Sequence, residues 1–208
     1  MSVSSCKKEV LEYKCDTVNP SEINVEVNGD LDVKFNFALL KEFEEYTQCL
    51  QNCTDSDLDC IMTCSTHLSY IAAGGAFSIA CHIENKTNSP ISFTLEAGDW
   101  FMPADTSYQP MLCARDITIT VKANKSETEI IPVYCLASGK NGPSEETVYS
   151  FCNHTVSNTC VNEIMNILKN KDLSSVTFTQ TSQIQGVIWD CTDGNTVDLS
   201  LLDSLPNN

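Results

Sequence analysis

Residues 23–37 read INVEVNGDLDVKFNF, and this stretch decides the fold class. Apolar side chains occupy every second position on both sides of Asn28-Gly29, which is the pattern of two half-buried strands. Asn-Gly provides the two positive φ angles that a two-residue hairpin turn requires. The stretch therefore predicts a β-hairpin at the start of a chain that is mainly β.

Further strands are predicted where the same alternation returns, at 77–83, 91–95, 117–121 and 130–136, with a turn at 88–90. A loop is predicted at 138–144 from its Pro, Gly and Ser content. Short strands separated by turns at this spacing are typical of antiparallel sandwiches and barrels. We expect an antiparallel β-sandwich.

Helical spacing interrupts the strands at 39–72 and returns near the C-terminus. The first region predicts a helical hairpin inserted in the sandwich. After it, the pattern predicts a helix around 161–168, a strand at 173–180, a short helix or strand at 183–189 and a helix at 196–204. The expected architecture is α+β, mainly β, with an N-terminal arm (1–20) and a single domain (21–208) that carries the insertion and a C-terminal helical portion.

The composition excludes several classes of function. The 208 residues include 28 acidic and 12 basic side chains, for a net charge of -16, and such a surface repels nucleic acid. No apolar stretch is long enough to insert in a membrane. The first eleven residues lack the apolar run of a secretory signal. We therefore expect that a leader was removed, or that export follows another route such as release from a lysing mother cell.

Twelve cysteines spread along the chain favour a disulfide framework and an oxidising destination. Cys49, Cys53, Cys60 and Cys64 form two pairs with four-residue spacing, and each pair falls on one face of a predicted helix. Antiparallel packing of the two helices predicts the nested disulfides Cys49–Cys64 and Cys53–Cys60. A four-thiolate metal site is the alternative; we expect no metal and no cofactor.

The N-terminal arm carries Cys6 and Cys15. An arm that does not pack on its own core can reach a neighbouring subunit and bond to it covalently. In layout this resembles the leaderless, cysteine-rich subunits of bacterial endospore appendages. Ordinary intrachain disulfides, or a disordered chain end, are the alternatives.

A second constellation combines Tyr134-Cys135-Leu136 with Gln185-Gly186-Val187-Ile188-Trp189. Together these motifs resemble the thioester domains of Gram-positive surface adhesins. The resemblance implies an internal thioester between Cys135 and Gln185, with Trp189 as a packing aromatic. Ile184 and Val187 stand where that family has Thr and Ala. The alternative is that Cys135 joins a disulfide, while Gln185 and Trp189 pack a shared fold.

These observations predict a structural subunit of an extracellular or spore-surface assembly, such as a fibre, held by intra- and intermolecular disulfides. The alternatives are a covalent adhesin that uses the Cys135–Gln185 thioester, and a monomeric secreted binding module. None of the three histidines has a partner acid or nucleophile at a recognisable spacing, so we expect no enzyme. The expected partners are further copies of the chain and a protein or host-surface ligand, with neither nucleic acid nor membrane insertion.

Overall fold

The computed structural model describes residues 31–37, 52, 75–143, 147–152, 156 and 158–208. The strands in these ranges are β1 (Leu31–Phe37), β2 (Phe77–Asn85), β3 (Ile91–Leu95), β4 (Trp100–Pro103), β5 (Met111–Cys113), β6 (Ile117–Val121), β7 (Lys125–Cys135) and β8 (Val148–Cys152). The helices are α1 (Thr159–Leu168), α2 (Phe178–Asp193) and α3 (Ser200–Asp203), and a 3-10 turn at Leu173–Ser175 separates α1 from α2.

Six strands form a closed antiparallel barrel in the order β1-β2-β7-β5-β4-β8. β1 pairs with β2 along its whole length, from Leu31 opposite Asn85 to Phe37 opposite Ile79. The connection between these two strands therefore leaves and re-enters the barrel at neighbouring positions. The hairpin predicted at 39–72, with Cys49, Cys53, Cys60 and Cys64, falls in this connection. That hairpin, the arm at 1–20 and the strand predicted at 23–27 lie outside the described residues.

β3 and β6 form a separate two-stranded antiparallel sheet that packs on the barrel. Both strands alternate strictly between buried and exposed residues, because one face meets the barrel and the other meets water. The buried side chains of this sheet join those of the barrel strands in one cluster, which we call the inner core. It contains Ile79, Ile83, Phe93, Phe101, Met111, Ile119, Val133, Cys135 and Phe151, among others.

A second cluster, the helix-side core, lies on the opposite face of the same barrel strands. It joins outward side chains of the barrel to the buried faces of the three helices. Its members include Trp100, Leu112, Tyr134, Leu136, Ile164, Leu168, Ile184, Ile188 and Leu202. β4, β5 and the end of β7 therefore bury residues on both faces.

Local signals fix the ends of α1 and α2. Asn158 accepts a hydrogen bond from the Val161 amide at 3.0 Å and so caps α1. Thr177 and Gln180 form a reciprocal capping box at the start of α2. Gly194 ends α2 with φ 73°, a left-handed conformation that glycine adopts at little cost.

The described residues confirm the coarse architecture. The chain is mostly β with antiparallel sheets, and three helices follow the last strand. The expected sandwich is not confirmed, because the described strands form a closed barrel with a two-stranded sheet on it. The strand predicted at 173–180 is wrong, since the 3-10 turn and the start of α2 occupy that range. In the described part of the chain, no helix has the length and apolar character to cross a bilayer.

Candidate functional site

Cys135 is the last residue of β7, at a point where the barrel ladder is incomplete. β5 continues beside it, with Met111 opposite Cys135, but the pairing with β2 stops at Phe77 opposite Val133. The next residue, Leu136, donates its amide to the Pro110 carbonyl on the β5 side at 3.0 Å. The N–H and C=O groups of successive strand residues point to opposite edges of the strand. Those of Cys135 therefore point to the edge of β7 along which β2 no longer pairs.

The side-chain amide of Gln185 fills this gap. The Cys135 amide donates to Gln185 Oε1 at 2.7 Å, and Gln185 Nε2 donates to the Cys135 carbonyl at 2.8 Å. The carboxamide thus makes both hydrogen bonds that a residue of a neighbouring strand would make. Two residues separated by 50 positions in the sequence are held together by this pair of bonds.

The Cys135 side chain belongs to the inner core. Its Sγ lies 3.6 Å from Met111 Sδ, and the residue is completely buried. Cys135 is a free thiol, so the alternative in which it joins a disulfide is not what the structure contains. Burial raises the pKa of this thiol well above its usual value, because an apolar environment disfavours the thiolate. At neutral pH the site therefore holds a neutral thiol beside a neutral amide.

Gln185 reaches the barrel from α2, on which it is 4% exposed. Its neighbours Ile184 and Ile188 are fully buried in the helix-side core and set the rotation of the helix about its axis. The Cys160–Cys191 disulfide ties the last turn of α2 to the first turn of α1. Apolar packing and a covalent link therefore hold the helix that positions the Gln185 amide.

Gln109 forms a second contact between α2 and the barrel. Its Oε1 accepts hydrogen bonds from Trp189 Nε1 at 3.2 Å and from the Ala137 amide at 3.3 Å. Its backbone carbonyl accepts a hydrogen bond from the Tyr149 hydroxyl at 3.2 Å. Gln109 is buried and thus links three parts of the fold: α2, the segment that follows β7, and strand β8.

The Thr192-Asp193-Gly194 segment that ends α2 also has a structural role. The Asp193 carboxylate accepts a hydrogen bond from the Ser138 hydroxyl at 2.5 Å, which fixes the chain just after β7 to the end of the helix. Together with the Gln185 and Gln109 contacts, three side-chain hydrogen-bonding groups dock α2 along residues 135–138.

The structure brings together the three residues of the predicted thioester constellation. Cys135 and Gln185 are bonded neighbours, and Trp189 packs against the inner core one turn further along α2. The other predicted site residues, Cys6 and Cys15 with Cys49, Cys53, Cys60 and Cys64, lie outside the described residues. Sequence reasoning did not predict Gln109, because a single glutamine between Tyr108 and Pro110 carries no spacing signal.

The pair combines a buried nucleophile, the Cys135 thiol, with an acyl donor, the Gln185 amide, which is hydrogen-bonded to the backbone of the same cysteine. A thiol can react with a primary carboxamide to give a thioester, with release of ammonia. A surface groove of about 650 Å³ lies along α1, between Thr159, Asn166 and Lys171, and none of its residues belongs to this site.

No protein-family model, no curated protein and no solved structure matches this chain. A function for the Cys135–Gln185 pair therefore has to be argued from its own contacts and chemistry.

Proposed function

We propose that Cys135 and Gln185 form an internal thioester and that the protein is a covalent adhesin of an extracellular or cell surface. The observation that carries this proposal is the double hydrogen bond between the Gln185 carboxamide and the backbone of Cys135. The bonds hold the amide against the residue whose sulfur would attack it. Such positioning replaces an unfavourable bimolecular encounter by a reaction within one site.

The bond-forming step balances without any co-reactant. Cys135 Sγ attacks the Gln185 amide carbon, a sulfur–carbon bond forms, and the carbon–nitrogen bond breaks. The thiol proton passes to the leaving nitrogen, which departs as ammonia. Reactants and products are all neutral, so a site that disfavours the thiolate does not have to stabilise a permanent charge.

The adhesion step uses the thioester as an electrophile. A primary amine of a partner, such as a lysine on a host surface, attacks the acyl carbon; an amide forms and the Cys135 thiol is released. Because Cys135 and Gln185 are both buried, a protein-borne amine reaches them only if α2 moves away from the end of β7. Burial thus protects the thioester from hydrolysis until a partner binds.

Intact mass tests the proposal. The native protein is expected to be lighter by one ammonia than its sequence and disulfides require, and to gain one methylamine on incubation with that amine. Cys135→Ala is expected to abolish both changes. Cys113→Ala is the matched control, because Cys113 is also a buried free thiol of the inner core, whose pKa burial raises to about 12. A native mass without ammonia loss would reject the thioester.

A structural subunit of an assembly held by intermolecular disulfides is the second candidate, and cysteine pairing favours it. Of the described cysteines, Cys81, Cys113 and Cys135 are free thiols, Cys160 and Cys191 bond to each other, and Cys152 is also disulfide-bonded. Six of the twelve cysteines lie outside the described residues. If Cys152 bonds to one of these six, five are left, and at least one of the five has no partner within the chain.

The arm cysteines Cys6 and Cys15 are the proposed intermolecular partners. Non-reducing electrophoresis of the native protein is expected to show multimers that disappear with reductant and in the Cys6→Ala/Cys15→Ala double variant. Cys81→Ala, which removes a buried thiol of the inner core, is expected to leave the multimers in place. A monomer under non-reducing conditions, with a further alkylatable thiol besides Cys81, Cys113 and Cys135, would contradict this candidate and leave a monomeric secreted binding module.

A further inference from the structure

Among the described strands, none pairs with one edge of the two-stranded sheet, which is the edge of β3 that faces away from β6. β6 lies beside β7 and β2 of the barrel, and Asn85 Nδ2 holds one end of the sheet by donating to the carbonyls of Ser89 at 2.9 Å and of Val121 and Lys122 at 3.0 Å each. β3 has a strand neighbour only in β6 among the described residues. The outer edge of β3 therefore presents backbone donors and acceptors in the arrangement to which another strand can pair.

The two strands of this sheet carry no charge, although the chain as a whole has a net charge of -16. β3 reads ISFTL and β6 reads ITITV, so neither contains an ionisable residue. Their exposed side chains are hydroxyls, which pair across the sheet: Ser92 with Thr120 and Thr94 with Thr118, both at 2.9 Å. Soluble proteins commonly block open edges with lysine, proline or a bulge. Pro90 precedes β3, and the five strand residues keep their amide hydrogens.

The absence of charge on this sheet favours a second copy of this chain as the occupant. With a net charge of -16, two copies repel each other wherever their acidic surfaces meet. The uncharged sheet is a place where two copies can approach without that cost. An antiparallel strand pair also satisfies two-fold symmetry, since each strand presents the same edge to the other.

We propose that β3 pairs antiparallel with β3 of a second copy, which extends the two-stranded sheet to four strands across the dimer. With the two-fold axis at Phe93, the central residue of the strand, Ser92 of one copy lies opposite Thr94 of the other. This contact deepens the second candidate function, on which it rests as a non-covalent step of assembly. It does not depend on the thioester.

The contact is small. A strand of five residues is about 17 Å long, and its edge covers far less than the roughly 1,600 Å² of a standard stable interface. The pairing is therefore weak in an isolated dimer and gains strength when a disulfide or a repeating assembly holds copies together. A test must trap the contact covalently instead of relying on affinity.

Disulfide trapping provides that test. Full-length Ser92→Cys and Thr94→Cys proteins, purified separately, are mixed and oxidised mildly, and the bond between the two introduced thiols is quantified by peptide mapping. Both positions are exposed, so the substitutions should not disturb folding. Thr118→Cys mixed with Thr120→Cys is the matched control, because these residues lie on the same exposed face but on β6.

The proposal expects the β3 mixture to form at least several times more of the mapped bond than the β6 mixture. Equal yields would overturn it. Multimers that depend on Cys6 and Cys15 but show no β3 enrichment would overturn the edge contact and leave the disulfide-linked subunit standing. Enrichment without such multimers would support the edge contact and contradict the arm disulfides.

Discussion

The Gln185 side-chain amide stands beside Cys135 in the position of a missing strand residue. It accepts the Cys135 N–H at 2.7 Å and donates to the Cys135 carbonyl at 2.8 Å, beyond the point where β2 has stopped pairing with β7. The contact closes the barrel ladder with a side chain from α2. It also places a carboxamide next to the backbone of a residue that carries a buried thiol, so the same two bonds have a structural and a chemical consequence.

Gln185→Leu is expected to lower the free energy of unfolding by roughly 1–3 kcal/mol, because the buried N–H and C=O of Cys135 lose their partners. Gln183→Leu, at an exposed position on the same helix, is the control and should change stability little. Urea unfolding followed by circular dichroism measures both. Equal stability of the two variants would show that the amide contact does not contribute to folding.

Gly75→Ala is expected to be strongly destabilising. A Cβ at this position would lie 2.5 Å from the Val133 backbone nitrogen and 2.8 Å from the Pro132 carbonyl carbon, so the chain before β2 would have to move away from β7. Gly186→Ala, within α2, is expected to have the opposite effect, because the new methyl group has no atom within 4 Å. It should stabilise the protein by up to about 1 kcal/mol. Thermal unfolding of the two variants checks both predictions: a lower unfolding temperature for Gly75→Ala and a higher one for Gly186→Ala.

Breaking the Cys160–Cys191 bond is expected to loosen α2. The bond closes a loop with a sequence separation of 31 residues, and loop-closure entropy assigns it roughly 3–4 kcal/mol. The Cys160→Ala/Cys191→Ala variant should unfold at a correspondingly lower urea concentration. If α2 carries the reactive amide, the same variant should also take up methylamine faster. Unchanged uptake in the less stable protein would indicate that α2 does not control access to the site.

The raised pKa of Asp99 predicts that the stability of the protein depends on pH. Burial is the main cause that raises its pKa from 3.8 to about 6; the hydrogen bond from the Glu96 amide opposes this rise, and the negative charges of Glu96 and Asp116 add to it. Below pH 3.8 the carboxyl is protonated in both the folded and the unfolded chain. As pH rises towards 6, the unfolded chain loses the proton first, so this group's contribution to stability falls across that window.

Asp99→Asn isolates this contribution. The asparagine Oδ1 can still accept the Glu96 amide, as the Asp99 carboxylate does at 2.8 Å. The difference in unfolding free energy between variant and wild type should therefore grow from pH 4 to pH 6 in favour of the variant, and then level off. Parallel pH profiles of the two proteins would contradict the assignment.

The sequence predicts best the elements that have one solvent-exposed face and one buried face. β3 and β6 alternate buried and exposed residues, so period-two spacing identifies them with correct bounds. β4 and β5 were missed because they are buried between the inner core and the helix-side core, which removes the alternation. Short strands of this kind give no periodic signal.

α2 was predicted only as a short helix or strand at 183–189. Its first turns contain Thr179, Gln180, Thr181 and Ser182, which mask the apolar period, although the capping box at Thr177 and Gln180 marks its start. The strand predicted at 173–180 overlooked that signal. The pairing of Cys135 with Gln185 came from family motifs, whereas the position of Gln109 depends on tertiary packing that no local pattern records.

Peptide mapping of the native protein after methylamine treatment tests the central claim most directly. The thioester predicts one methylated amide, at Gln185, and one newly alkylatable thiol, at Cys135, with Cys135 blocked to alkylation in untreated, denatured protein. An unmodified Gln185 together with a Cys135 thiol that is fully alkylated in the untreated, denatured protein would contradict the claim. The contact between the two residues would then serve only to pair the backbone of Cys135 at the end of β7.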